Sequence, residues 1–427
     1  MNKRRTLNHS IIYIFGSGIQ ALIPFVLIPS LTRNSSQSTF GLLMVMISLA
    51  TVLSFVLSFG IPIVLTRELV FDESNSNTYK ELALKVQSVL FWIATITVAL
   101  ASNIQTSGNL LILLFGLSSA SSLAIIQIRL SILRAEFKPK AYALLAISST
   151  GMPLVNTYIF SLNGDQNMLF TFTVAVLVVA GITQAKSLFL LPNYKNLVSI
   201  AGLVAIGYPM IFHSVAISLF QYGDKLAGYL GIGSDLVAEI AITSLFMTAP
   251  MLLLSSINNA WLPSDLEHLS KNETSGYFLS NKVSRQLSAL TLVIAILLIV
   301  SVSTLINYIV PENYGQIEIS KSIIIGLSFT PLYILYLQNT HIIAMKKKFK
   351  IMAKITPAAA LIQFIFTFVF VKSIGLTAPA IGLLVALAFQ ALLISIAVGK
   401  SNQLSKAPIL STILLSMFSY SYLTLLF

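Results

Sequence analysis

Along its length the chain alternates long apolar runs with short polar breaks. Runs of roughly 20 residues, the length that crosses about 30 Å of hydrocarbon, fall at about 10–31, 40–60, 84–103, 109–128, 141–161, 168–191, 200–222, 236–259, 286–310, 322–344, 352–372, 376–398 and 408–427. Each is continuously apolar instead of alternating at every second position. The elements predicted are therefore membrane-spanning helices and not barrel strands. Twelve form the body of the map, and the run at the C-terminus is predicted as an extra helix. The first run follows a basic segment, "MNKRRTLNHS", as a secretory leader would. It is too long for a leader core, and no small-residue cleavage site follows it, so it reads as a first spanning helix. The longest polar breaks, 61–83 and 261–285, are too short to hold a soluble domain.

Charge orients the map. All of the 26 lysines and arginines except Arg33, Lys225, Lys321 and Lys372 fall in the N-terminal segment or in every second loop after it. Basic residues collect on the cytoplasmic side, so the N-terminus is expected in the cytoplasm of a bacterial inner membrane. Composition agrees: 56% of residues are hydrophobic and 9% charged, where soluble domains carry about 25% charged residues. The net charge of +12 is scattered in small groups. That excludes the single basic patch of a nucleic-acid binder, and no nucleic-acid partner is expected. Cysteine is absent, which rules out disulfides and thiol chemistry. His9, His213, His268 and His341 are far apart, and no metal-spaced cluster, phosphate-cradling glycine loop or Ser/His/Asp order stands out. The reading is of a protein that is not an enzyme, with no catalytic residue, no metal and no cofactor.

The turn "RAEFKPKA" (Arg134–Ala141) after the fourth run aligns with "KKKFKIMA" (Lys346–Ala353) after the tenth. The first and seventh runs both carry early prolines (Pro24, Pro29; Pro209) and meet charge at their far ends (Arg33; Asp224-Lys225). A separation of six crossings leaves both halves pointing the same way, so a parallel repeat about an axis along the membrane normal is predicted. The fold expected is an all-α polytopic membrane protein. It has a six-helix lobe at 1–195, a second at 196–400 and a thirteenth helix at 401–427, with a substrate path between lobes that rock. Prolines inside runs (Pro24, Pro153, Pro209, Pro250, Pro331, Pro357) are expected to bend their helices.

Three stretches carry a resemblance. "IPFVLIPSLTRNSSQSTFG" (Ile23–Gly41) resembles the first-helix motif of polysaccharide repeat-unit flippases, a proline-containing helix ending in Thr-Arg before an aromatic-Gly pair. "GYPMIFHSVAISLFQYGDKLAGYLG" (Gly207–Gly231) is similar to their seventh-helix motif, and "LRAEFKPKAYA" (Leu133–Ala143) to their fourth-to-fifth turn. The resemblance covers most of helices one to eight. It is to O-antigen or capsule flippases of the superfamily that also holds multidrug/toxin extruders and the lipid II flippase. It implies a MATE-like fold around a central cavity. It also implies movement of undecaprenyl-diphosphate-linked oligosaccharide from the cytoplasmic to the outer leaflet for surface polysaccharide assembly. The implied partners are that substrate, membrane lipids, and the polymerase and chain-length regulator of the same pathway.

A diphosphate crossing a low-dielectric core needs counter-charge, and sugars need hydrogen bonds and aromatic faces. The substrate-binding candidates are Arg33, Arg67, Arg129 and Lys225 for phosphate and Gln20, Gln338, Asn339 and Gln363 for sugar, with Asn156, Gln184, Gln221 and Gln390 as further amides. Each has a plainer alternative. Arg33 is also where a snorkelling anchor would sit, and Arg67 and Arg129 are also where orientation requires cations. Asp224 and His213 are candidates for energy coupling; a structural ion pair and a buried neutral imidazole are their alternatives. The rival functions are a cation-coupled drug extruder, disfavoured because the first run holds no acid between Ile11 and Leu31, and a lipid II flippase.

Overall fold

The computed structural model describes residues 3–62, 64–65, 76–103, 108–164, 167–185, 194–271, 273–346, 349–398 and 405–426. Among them all regular structure is helical: α1 Lys3–Asn34, α2 Gln37–Leu57, α3 Ser76–Asn103, α4 Gly108–Ala135, α5 Pro139–Ser161, α6 Met168–Gln184, α7 Tyr194–Ile232, α8 Ser234–Lys271, α9 Glu273–Ile309, α10 Gln316–Leu327, α11 Pro331–Met345, α12 Phe349–Ile374, α13 Thr377–Val398 and α14 Ala407–Leu426. Every apolar run corresponds to one helix, save that the tenth is divided between α10 and α11. Eleven described segments are long and apolar enough to cross a membrane. Large apolar side chains such as Val26, Leu144, Ile182, Leu297 and Ile396 are exposed on these helices. Lipid is the solvent in which that surface is stable, and the chain is a multi-pass membrane protein.

Several helices outrun their apolar stretches. α3, α8 and α9 continue into polar segments at 76–83, 260–271 and 273–285, because nothing there breaks a helix whereas desolvation ends the apolar run. Two breaks have local causes. After Leu57 the chain turns through Ser58, Phe59 (φ +52°) and Gly60 (φ +68°), and the Ser58 hydroxyl donates to the Phe55 carbonyl at 3.1 Å. Gly60 is required on two counts. Its backbone is left-handed, and a Cβ would lie 2.5 Å from the carbonyl oxygen of Gly207. After Leu327 the turn Ser328–Thr330 is closed by Ser328 donating to Ile324 O at 2.9 Å and Thr330 to Leu327 O at 2.6 Å. Pro331, expected to bend a helix, instead opens one, where its missing N–H costs nothing.

The chain divides into two compact units, 1–218 and 219–427. The division falls inside α7, not at the loop after residue 195. Gly207 packs on Gly60 in the first unit and Gly231 on α12 in the second, so one helix serves both.

Within each unit the same partners meet. In the first, α1 packs on α5 with Gly16 against Ala143, α2 on α4 with Leu49 against Gly116, and α5 on α6. In the second, α7 meets α12 through Gly223 on Phe364 and Gly231 on Val371, α8 meets α10 through Met247 on Gly326, and α12 packs on α13. Helices six apart thus occupy equivalent places, as a parallel repeat requires. The Phe-Lys pair that suggested the repeat is not conformationally equivalent, however: Phe137 is a left-handed turn residue (φ +54°), whereas Phe349 opens α12. The extra helix α14 packs on α9 and α11, with Ser328 donating to Ser419 Oγ at 2.7 Å and Tyr422 to Val300 O at 3.1 Å.

Polar side chains inside the first unit mostly join helices to one another. Gln127 donates to Ser54 Oγ at 2.8 Å, Ser118 to Ala94 O at 2.8 Å, Asn156 to Thr171 O at 2.8 Å and Gln184 to Ser88 Oγ at 2.9 Å. In lipid such bonds contribute about 0.6 kcal/mol each on average.

Candidate functional site

The strongest charge feature of the second unit is on α7. Asp224 and Lys225 are 2% and 4% exposed. The apolar run ends at residue 222, which suggested that the pair closes the helix. Instead α7 runs seven residues further, to Ile232, about 10 Å at 1.5 Å per residue. The helix continues because the charges cancel within it. Lys225 Nζ folds back to Asp224 Oδ1 at 2.9 Å and to the Gln221 carbonyl at 3.2 Å. The Lys225 backbone N–H also donates to Asp224 Oδ1 at 2.9 Å, and Ser244 of α8 donates to Oδ2. The ammonium sits 5.6 Å from the centre of the Tyr222 ring. Lys225 is thus fully engaged by its own helix. A free carboxylate or free ammonium at this depth would be costly.

Arg33 stands exposed at the last turn of α1. The turn beyond it is fastened by Asn34 donating to Ser30 O at 2.7 Å and by Ser36, which caps α2 by accepting from the Thr39 N–H at 3.2 Å. Arg129 is half-buried on α4; Arg67 lies outside the described residues. Gln20 of α1 donates to Thr150 Oγ1 of α5 at 3.1 Å. Gln338 and Asn339 are fully buried and Gln363 is 2% exposed. Gln338 donates to Asn281 Oδ1 at 2.8 Å, and Asn339 donates to Ser395 Oγ at 3.1 Å. The side-chain carbonyl oxygens of Gln338, Asn339 and Gln363 have no partner among the described residues. His213 is half-buried, with its Nδ1 unpartnered, on the same helix as Asp224 but roughly three turns before it. The candidates of each unit therefore do not gather into one cluster. The amides chosen for sugar contact lie inside helix packing, because polar groups within a span are drawn to neighbouring helices as readily as to a substrate.

One constellation escaped sequence reading. His341 of α11 meets Asp265 of α8 across 76 residues of chain, Nδ1 to Oδ2 at 2.8 Å. The only advance signal was an acid and an imidazole each inside a helix. At the polar end of the first unit, Glu136 receives Lys80 at 2.9 Å and Lys138 at 2.8 Å. Burial alone would push its carboxyl up, but the two ammonium groups bring it below the ordinary carboxylate range. Arg134 donates to the Tyr142 hydroxyl at 3.0 Å, with the guanidinium 5.3 Å from the ring centre. These contacts join α3, α4 and α5 around the Phe137 turn.

No family model and no curated protein sequence matches the chain. Solved structures do match its fold. The lipid II flippase MurJ in an inward closed conformation superposes with a TM-score of 0.66 at 14% identity, over 98% of this chain and 92% of that one. A multidrug resistance MATE family transporter of the MOP superfamily, inward-facing, gives 0.61 at 14% identity over 91% and 94%. A MOP superfamily transporter from Pyrococcus furiosus gives 0.59 at 15% identity over 93% and 96%. The chain has the MATE-like fold of these transporters, with the pseudo-repeat of two six-helix bundles.

Proposed function

We propose that the protein is a flippase for a lipid-linked oligosaccharide. It carries an undecaprenyl-diphosphate-linked repeat unit from the cytoplasmic to the outer leaflet of a bacterial inner membrane by alternating access, for O-antigen or capsule assembly. The observation that carries this reading is the full-length likeness to a lipid II flippase, since that protein's stated cargo belongs to the same chemical class. The composition supports it. A cargo with a diphosphate head favours basic residues near the path, and the chain carries +12 of net charge with few acids.

In this reading Arg33 is the outer-side contact for diphosphate, because it is exposed on a side expected to be nearly bare of cations. Arg129, half-buried, and Arg67 are the cytoplasmic-side candidates. Asp224 and Lys225 keep α7 neutral. The polymerase and chain-length regulator act on the flipped product as partners. The test is deletion of the protein from its host. Surface polysaccharide should vanish while lipid-linked repeat units persist in the cytoplasmic leaflet. Intact surface polysaccharide with raised drug sensitivity would refute the reading in favour of the multidrug transporters that share the fold.

A further inference from the structure

His341 lies fully buried with both ring nitrogens against oxygen atoms. Nδ1 is 2.8 Å from Asp265 Oδ2, and Nε2 is 2.8 Å from Asn258 Oδ1. A neutral imidazole has one N–H and one bare nitrogen, so it can donate to only one of these oxygens. Both contacts are satisfied when each nitrogen carries a hydrogen. Asp265, 3% exposed, then gains a counter-charge at that depth, and it also accepts from Ser280 Oγ at 3.1 Å. The Trp261 ring stands edge-on to the imidazole, 4.5 Å between centroids at 73°.

We propose that Asp265, His341 and Asn258 form a proton-binding site that holds α11 to α8. Loss of the proton leaves Asp265 as a lone buried carboxylate. It also sets a bare nitrogen against the Asn258 carbonyl oxygen, so the link between the two helices weakens at one nitrogen or at both. Imidazole is the side chain whose charge ordinarily changes between about pH 5 and 8, so this link answers to proton activity.

The surroundings supply no substitute cation. Among the described residues His341 is the one basic group in ion-pair range of Asp265. Other ionisable groups on the elements packed around the site are Tyr277, Lys282 and Arg285 on α9, Tyr333 and Tyr336 on α11, Lys346 just after it, Lys350 and Lys354 on α12, and Tyr420 and Tyr422 on α14. Lys282, Arg285, Lys350 and Lys354 are exposed, and α13 carries no ionisable side chain. The site stands on the second unit's own geometry and does not depend on what is transported.

The experiment is nitrogen NMR of the full-length protein with ring-labelled histidine in detergent at pH 7. The His341 signals are assigned by their loss in His341→Gln. The expected pattern has hydrogen on both ring nitrogens, reverts reversibly to one bare nitrogen as pH is raised, and is lost at pH 7 in Asp265→Asn. One bare nitrogen in the wild type at pH 7 would overturn the proposal, and so would a doubly protonated ring that persists in Asp265→Asn. Should Asp265→Asn fail to fold, the wild-type spectrum and its pH series still decide.

Discussion

If Asp224 and Lys225 neutralise each other inside α7, removing one charge should cost far more than removing both. Lys225→Met keeps the length of the side chain but leaves a carboxylate 2% exposed, held only by Ser244 and a backbone N–H. Breaking a buried pair from one side costs about 3–5 kcal/mol. For a cooperative body the size of the second unit, roughly 2–4 °C of melting temperature accompanies each kcal/mol, so a drop of roughly 6–20 °C is expected. Asp224→Asn strands the ammonium and should fall in the same range. The double variant carries no charge, and uncharged replacements of buried pairs are often neutral. It should recover most of the loss, giving a coupling between the two changes of about 2 kcal/mol or more. Ser244→Ala removes one bond to a charged oxygen and should fall between wild type and the single variants. The assay is thermal unfolding of the full-length protein in detergent, read by aggregation-sensitive size exclusion. Additive effects, or single variants within about 2 °C of wild type, would refute the reasoning and return Lys225 to the substrate contacts.

Reporter fusions after Arg5, Lys138, Lys195 and Lys348 should be cytoplasmic and those near Gln105 and Asp165 external; with α14 spanning, a fusion at Phe427 should be external, and a periplasmic signal at Lys348 would defeat the map. For Arg33, surface polysaccharide per unit of membrane protein should fall from wild type through Arg33→Lys and Arg33→Ala to Arg33→Glu, because lysine keeps the charge but loses the two-pronged geometry; full activity of Arg33→Glu at normal membrane levels would reduce it to a folding role. Gly60→Ala should cost at least about 1–2 kcal/mol in thermal unfolding, since it adds left-handed strain to a collision with the Gly207 carbonyl. A carboxyl held below its ordinary value contributes stability that is present at neutral pH and lost as pH falls through the lowered value. Glu136→Gln should therefore flatten the acid side of the unfolding profile by less than about 1 kcal/mol and leave the profile above neutrality unchanged.

The number of crossings, their helical nature and the six-apart repeat were legible in the sequence because lipid imposes a length and a composition on every span. Arg33 was legible for the same reason: a cation on the sparsely basic side is visible against its background. Tertiary structure alone decided where polar side chains inside the spans point. Gln338 and Asn339 look like sugar ligands in the sequence but lie within packed helices, and the bonds they make, to Asn281 and Ser395, link α11 to α9 and α13. Asp224-Lys225 looks like a helix end and is a buried neutral pair. His341 looks solitary and meets Asp265 only because α8 and α11 pack together. Hydrophobic patterning is set one helix at a time by the solvent, whereas a hydrogen bond between spans depends on the rotation and register of two helices, and those are fixed only by packing.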